Sequence, residues 1–491
     1  MRHTFIALMA LLAAGNLSAQ PETPIRIDIN AGKQIATVTK RFNGTNIEDL
    51  NNQTNGGMFS QLIHGEAFEE NIDVDFLNLE RKDYSKIYVV LDERRIPHLL
   101  NQSNVYSRIN WNNLGEKYDF NSNDIYSAGR YGAPENLSGW MFPGRFLVYD
   151  SLPENIQKIM MTRINGNEQV SKYWSKLTSG NPQYKYELIR DGKAYMGRQT
   201  QRISFAAGNG EVGITNHGLY RSGIMFENGK SYDGILRIKA DKPTTIYVSL
   251  RDENNNILAE KPYQLKGDGS YEKVVYELTP NGATINGSFG ISLKAPGTVD
   301  LGFAFLQPGT WGRIEGGWPI QTKFTDALKK QGITAFRYNG SMVDVGADTY
   351  LYRWKLMRGP IDERRITFRS GFNPYATHSF GFIEMLQAAE VINATAIIGM
   401  SMNGSYEDIR DFVEYVNGPI SSKWGALRAA DGHPQPYSLK YIQVDNERGI
   451  SRGYVECMKK FAKAAWEADP NMSIMTSLNI GGNGYKRGGT E

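Results

Sequence analysis

Asp445, Asn446 and Glu447 stand in a row after Tyr441-Ile442-Gln443-Val444, and that set of side chains can do chemistry on a polar substrate. A carboxylic acid can protonate a leaving oxygen while an amide beside it holds a hydroxyl, which is what cleavage of a glycosidic bond requires. A plain strand running into a polar loop would look the same, so the reading needs support from elsewhere in the chain. The four residues ahead of the acids are mostly apolar and β-favouring, as in a parallel strand buried on both faces. Barrel enzymes keep their reacting groups at the carboxyl ends of such strands.

Composition narrows the class. With 491 residues the chain has room for several domains of roughly 150 residues each. Its 55 basic and 52 acidic side chains nearly cancel, which argues against nucleic acid or a strongly charged membrane as partner and for a neutral one. The 27 Tyr and 8 Trp offer rings that can stack on sugars, as they would in any large β-rich fold. Residues 1–19 have Arg2 and His3, an apolar run from Phe5 to Leu12, and small residues up to Ala19, the layout of a cleavable secretory signal. The apolar run is shorter than the ~20 residues a spanning helix needs. An exported chain without a membrane span after cleavage is therefore expected, ending in the periplasm or outside the cell. Cys457 is the single cysteine, which excludes an internal disulfide and a cysteine-rich metal site. No metal-ligand cluster, phosphate loop or nucleophile triad stands out, so neither metal nor cofactor is expected.

Along the chain, Arg41 to Ile47 reads as a strand that ends in Glu48 and Asp49, followed by a polar loop from Asn51 to Gly57. Phe59 to Phe68 spaces its apolar residues as a helix does, with His64 on its surface or in the core. Residues 20–75 thus supply a first barrel strand and helix. Residues 76–140 form an irregular insertion, in which Lys86 to Leu91 suits a strand and Arg94 to Leu100 a short helix. From 141 to 308, short alternating strands such as Thr244 to Leu250, Glu272 to Leu278, Gly287 to Leu293 and Thr298 to Phe305 are separated by Asn, Gly and Asp turns. That regularity predicts a β-sandwich. From 309 to 491 strands and helices alternate, which is an α/β pattern, doubly wound or barrel. The helices are Ile320 to Lys330, Phe380 to Val391, Tyr406 to Val416 and Tyr454 to Ala468; the strands are Thr334 to Tyr338, Ala394 to Met400, Leu439 to Val444 and Met472 to Leu478. Asn339-Gly340-Ser341 is too short for the glycine fingerprint of a dinucleotide fold.

In a barrel the strand near Arg41 is the first, and the later ones are the second to fifth. They end in Glu48, Asn339, Asn403, Asn446 with Glu447, and Asn479. Polar groups from several strand ends converge on one mouth in this fold. Arg337 lies on the second strand, where it can orient a carboxylate across the barrel or form a structural ion pair. The sandwich is inserted between the first and second strands, so it grows from the carboxyl face and sits beside the mouth.

Several segments resemble the family 51 glycoside hydrolases, which are mostly α-L-arabinofuranosidases. They are Asn46-Ile47-Glu48-Asp49-Leu50, Tyr352-Arg353-Trp354-Lys355 with Gly359-Pro360 and Glu363-Arg364-Arg365, Tyr415-Val416-Asn417-Gly418-Pro419, and the run from Trp424 through Arg428 and His433 to Tyr441. With the Asn446-Glu447 pair, the resemblance covers residues 40–70 and 310–480, and the inserted region looks like a carbohydrate-binding module. It implies a retaining mechanism on a (β/α)8 barrel. Glu447 would be the catalytic general acid/base, Asn446 would hold the 2-hydroxyl, Glu48 would bind the arabinofuranose ring, and Arg337 would orient the nucleophilic Glu. Arg353, Trp354 and His433 match the family too, as packing residues.

Two departures stand out: Asp445 where the family usually has Gly, and Asn339-Gly340-Ser341-Met342 where many members have Gly-Gly-Asn. The resemblance places the nucleophile on a seventh strand, whereas this chain reaches Glu491 just after a fifth, and five strands cannot close the barrel. The expected architecture is therefore α/β, an incomplete (β/α)8 barrel of about five strands with an inserted all-β sandwich. The expected function is an exported glycosidase acting on arabinofuranosyl-containing polysaccharide or oligosaccharide, present here as a fragment that alone hydrolyses little. Its rivals are a hydrolase of xylosidic or galactofuranosidic linkages, and a non-catalytic carbohydrate-binding protein.

Overall fold

A computed structural model of the chain describes residues 32–33, 37, 41–48, 52–68, 89–91, 97–99, 146–148, 170–189, 191, 193–196, 199–340, 354–364, 366–367, 376–400, 406–448 and 452–478. The signal-like stretch at 1–19 lies outside these residues. The chain divides into a unit ending at Lys40 and a second unit from Arg41 onward. Every element below belongs to the second.

Strand β1 (Gly44–Ile47) comes first, then three short strands, β2 (Val89–Leu91), β3 (Pro97–Leu99) and β4 (Phe146–Val148), which form a sheet of order β3-β2-β4. Pro97 to Leu99 is thus a strand where the sequence suggests a short helix. Pairing with β2 decides the matter, and Pro97 is tolerated as the first residue of an edge strand.

The β-rich part contains β5 (Trp174–Ile189), β6 (Thr200–Asn216), β7 (Ile224–Phe226), β8 (Tyr232–Lys239), β9 (Thr244–Arg251), β10 (Ile257–Leu265), β11 (Glu272–Leu278), β12 (Thr284–Leu293) and β13 (Gly297–Pro308). Seven of them run in the order β10-β9-β12-β6-β13-β8-β11, with β5 on β6 and β7 on β12. The two layers share β6. Its front half (Gln201 to Phe205) pairs with β13 and its back half (Val212 to Asn216) with β12. Gly208 and Gly210, at φ of 98° and 110°, lie between the halves, where the left-handed backbone favours glycine. Ile203, Val248, Leu250, Leu278, Phe289 and Ile291 are among the buried residues of the core between the layers.

After the sandwich come α1 (Thr322–Lys330), β14 (Ala335–Tyr338), a two-residue ribbon of β15 (Ile366–Thr367) and β16 (Ala376–Thr377), and α2 (Phe382–Ile392). β17 (Thr395–Met400), α3 (Tyr406–Asn417), α4 (Lys423–Ala430), β18 (Tyr441–Arg448), α5 (Arg452–Ala468) and β19 (Ser473–Leu478) follow. Five strands pair in parallel in the order β1-β14-β17-β18-β19. This is the order in which they occur in the chain, as in a barrel wall. On β14, Phe336 and Tyr338 join the helix-side core, with Tyr338 edge-on to Phe382 at 5.8 Å. Period-2 alternation sends Arg337 to the opposite face.

Phe59 to Phe68 is not a helix. It passes between sandwich and barrel and turns at Gly65 to Phe68, with Leu62 N donating to Leu306 O and Ala304 N to Glu66 O. Its helical spacing of apolar residues arises because both sides of the segment are covered: Phe59 joins the barrel core and Ile63 and Phe68 the sandwich core. β13 serves both cores in the same way, with Phe303 and Phe305 facing the barrel and Leu301, Ala304 and Leu306 the sandwich.

Motif residues shared with the family build the frame. Arg428 is fully buried and donates to the carbonyls of Tyr415, Gly418, His433 and Pro434. Asn417 donates to Leu439 O and accepts from Leu439 N, which fixes the entry to β18. Trp354 packs against Phe412, Tyr415 and Trp424, and His433 stacks on Tyr437 at 3.9 Å. These contacts suit packing roles.

Candidate active site

Parallel pairing sets Asn46 of β1 beside Arg337 of β14. Glu48 follows two positions later, on the same face as Asn46. The side chains meet. Arg337 Nη1 donates to Asn46 Oδ1 at 2.8 Å, Nε to Gln443 Oε1 at 2.7 Å, and Nη2 to Asn446 Oδ1 at 2.9 Å. Asn46 Nδ2 donates to Glu48 Oε1 at 2.8 Å, which lies 3.6 Å from Arg337 Nη1. One guanidinium fork thereby joins the ends of three strands, a geometry that its rigid planar donors permit and a lysine could not reproduce.

Gln443 and Asn446 are three residues apart, yet both reach Arg337, which an unbroken strand with a period of 2 would forbid. Asp445 between them has a left-handed backbone, φ 52°, and the ladder to β19 is irregular between Val444 and Arg448. A local bulge of this kind re-aims side chains beside active sites. It also accounts for the usual glycine at this position in the family. Asp is one of the few other residues to visit this region, and Gln443 Nε2 steadies the turn by donating to Asp445 O at 2.8 Å.

Asn339, at the end of β14, is also left-handed, φ 75°. The sequence suggests a polar group at the mouth here, but Asn339 is fully buried and donates to Gly399 O at 3.0 Å. Its role is to join β14 to β17. Gly340 has a different importance, because a Cβ built on it would overlap the carboxylate of Glu48. Glu48 is held from the other side by its own N–H, which donates to Gln53 Oε1 at 2.8 Å. Asn403, Asn479 and the side chain of Glu447 lie outside the described residues, while the backbone of Glu447 belongs to β18.

Of the sequence-predicted site residues, Glu48, Arg337 and Asn446 therefore form one network. The sequence reading overlooks Asn46 and Gln443. A polar Gln443 inside an otherwise apolar strand was the available signal, as was the i, i+2 spacing of Asn46 and Glu48. Arg337 thus reaches three amides and the carboxylate of Glu48.

The 52–58 loop, which follows Glu48, meets the sandwich at the turn around Tyr220. Asn52, Tyr220 and Arg221 are all left-handed, at φ of 60°, 53° and 60°. Each such residue costs on the order of 1–3 kcal/mol, so the surrounding contacts must hold them there. A cavity of about 660 Å³ opens elsewhere, between sandwich and barrel, lined in part by Asp233, Tyr276, Trp318 and Asp431. Three of its carboxylates are engaged, Asp233 by Arg313 and Gln307, Asp431 by Arg358 and Glu384 by Arg364. It shares no lining residue with the Arg337 network. Among the described residues no group of three or more His, Cys, Asp or Glu is placed to hold a metal ion, and no helix is long and apolar enough to cross a membrane.

Residues 327–487 match the family model described as the Alpha-L-arabinofuranosidase 1 domain. The chain is 25% identical over 336 residues to an extracellular exo-alpha-L-arabinofuranosidase of Streptomyces chartreusis, covering 62% of this chain and 40% of that one. It is 25% identical over 287 residues to alpha-L-arabinofuranosidase 2 of Arabidopsis thaliana, covering 55% and 42%. The chain thus spans less than half the length of these relatives. Among solved structures, an arabinose-bound GH51 α-L-arabinofuranosidase superposes with a TM-score of 0.62 at 18% identity, covering 91% of this chain and 60% of that one. At that identity the likeness speaks to the fold, a TIM barrel with a β-sandwich.

Proposed function

We propose that the chain is a family 51 glycoside hydrolase, a reading supported by the family-model match over residues 327–487 and by the arabinofuranosidase relatives, and that the mouth around Arg337 binds a terminal α-L-arabinofuranosyl group and takes part in its hydrolysis. The observation that carries this reading is the junction of Asn46, Glu48, Gln443 and Asn446 through one guanidinium. Asn446 accepts from Arg337 through Oδ1, which orients its amide, and we assign that amide to a sugar hydroxyl. Glu48, an acceptor next to the same guanidinium, suits the other hydroxyls of the ring. Arg337 is a positioning residue that sets both groups, and a nucleophilic carboxylate arriving from across the barrel would meet the same cation.

Glu447 follows Asn446 on β18 and is assigned the general acid/base role. A retaining mechanism needs a second carboxyl group about 5–5.5 Å from the first, and we place that nucleophile beyond the five strands described. The description of the Streptomyces chartreusis relative as extracellular, and the signal-like residues 1–19, support export.

The test compares Glu447→Gln with wild type on aryl α-L-arabinofuranosides of graded leaving-group ability. A general acid matters most when the leaving group is poor. The variant should therefore lose roughly 100-fold or more on poor leaving groups and much less on good ones. Equal loss across the series would remove Glu447 from this role. The comparison is made in a protein that also carries the nucleophile-bearing strand, where oligosaccharide binding without any turnover would favour a non-catalytic carbohydrate-binding protein.

A further inference from the structure

Tyr220 is an exposed aromatic on a turn that the sandwich sets against the rim of the mouth. Its Oη donates to Asn52 Oδ1 at 3.1 Å. Asn52 adjoins Gln53, whose side chain accepts from the N–H of Glu48. The neighbouring Leu219 lies over Gly56, where a Cβ would press into it, and Gly57 backs onto Phe324 of α1.

The turn is held in a conformation that a tyrosine rarely adopts, with left-handed residues on both sides of the contact. Arg221 locks it to β5, its Nη2 donating to Lys172 O at 2.8 Å and Trp174 O at 3.1 Å and its Nη1 to Ser175 Oγ at 3.2 Å. Ser222 Oγ donates to Leu219 O at 2.7 Å and closes the turn. All this order leaves Tyr220 65% exposed. Folding alone gains little from fixing a strained backbone around a ring that meets His64 at 5.8 Å and otherwise faces water. Backbone strain of this kind collects at functional sites, and a rigid tyrosine supplies contact area at little entropic cost.

We propose that Tyr220 is the stacking platform of a further binding subsite, lent by the sandwich, which takes the neutral sugar ring to which the terminal arabinofuranosyl group is attached. The inference rests on the functional reading above. It makes the inserted domain a determinant of substrate length, and it assigns the ring of Tyr220, rather than its hydroxyl, as the ligand contact.

The experiment measures equilibrium binding by calorimetry in a Glu447→Gln background, which prevents turnover. The probes are methyl α-L-arabinofuranoside and an arabinofuranosyl-substituted xylo-oligosaccharide. Tyr220→Ala should weaken the oligosaccharide roughly tenfold, about the size of one lost aromatic contact, and leave the lone sugar within about twofold. Tyr220→Phe should bind both as the parent does. If Tyr220 only pins the turn to Asn52, Tyr220→Phe will behave like Tyr220→Ala, which overturns the proposal. Equal loss on both probes, or loss on neither, also overturns it. Tyr220-dependent oligosaccharide binding without lone-sugar binding would keep the platform and reject the terminal-sugar pocket, and a parent that binds neither probe rejects both.

Discussion

At the scale of single residues, the proposed site depends on one cation, one left-handed turn and one glycine. Arg337 fixes the amides of Asn46, Gln443 and Asn446, and the left-handed turn at Asp445 lets the last two point the same way. Gly340 leaves room for Glu48. Gly340→Ala should push the Glu48 carboxylate off its position and reproduce much of the Glu48→Ala phenotype, a loss of about tenfold or more in affinity for the terminal sugar. Titration of methyl α-L-arabinofuranoside against both variants checks this, and unchanged affinity in Gly340→Ala would show that Glu48 has another place to go.

At the scale of elements, the 59–68 segment carries two buried titratable groups of opposite sign. Burial, with Lys172 nearby, lowers the pKa of His64 to about 4, and burial raises that of Glu66 to about 7. Folding favours neutral imidazole, so the contribution of His64 is complete above pH 6.5 and is lost as pH falls toward 4. Folding also favours the protonated Glu66, so its contribution is complete below pH 4.5 and is lost as pH rises toward 7. Each is worth about 3 kcal/mol at most, and they offset one another across the acid range. Glu66→Gln keeps the shape and removes one of the two. Relative to wild type, its urea-unfolding stability should improve by about 3 kcal/mol between pH 4.5 and 7. A difference that stays flat with pH would show that Glu66 does not titrate there.

At the scale of the molecule, sandwich and barrel are joined by more than the chain connection. Asp362, 1% exposed, accepts from Arg237 Nε at 2.7 Å and from Lys273 Nζ at 3.0 Å, both on the sandwich. Phe303 and Phe305 fill the barrel core from the same side. Asp362→Asn leaves two cations facing a neutral amide and should cost about 3 kcal/mol. A calorimetric scan should then resolve separate transitions for the two parts. A single transition at the wild-type temperature would mean that the apolar contacts alone hold them.

The parallel strands, their helices, the sandwich and the polar strand ends at Glu48 and Asn446 follow from local pattern. Apolar periodicity and turn residues are written in neighbouring letters, and β14, β17 and β19 begin and end close to where that pattern places them, while β18 runs on through the polar residues to Arg448. Three things depend on residues far apart in the chain. Phe59 to Phe68 takes its conformation from the two cores that cover it, which outweigh its helical spacing. The bulge at Asp445, set by a backbone turn that few residues adopt, brings Gln443 and Asn446 to one face. The partners of Arg337 come from β1 and β18, and only the parallel register puts an amide of residue 46 and an amide of residue 446 within reach of one guanidinium. The letters alone supply the chemical groups, while their convergence is a property of the folded sheet, because hydrogen-bond geometry is fixed by distances that separation along the chain does not encode.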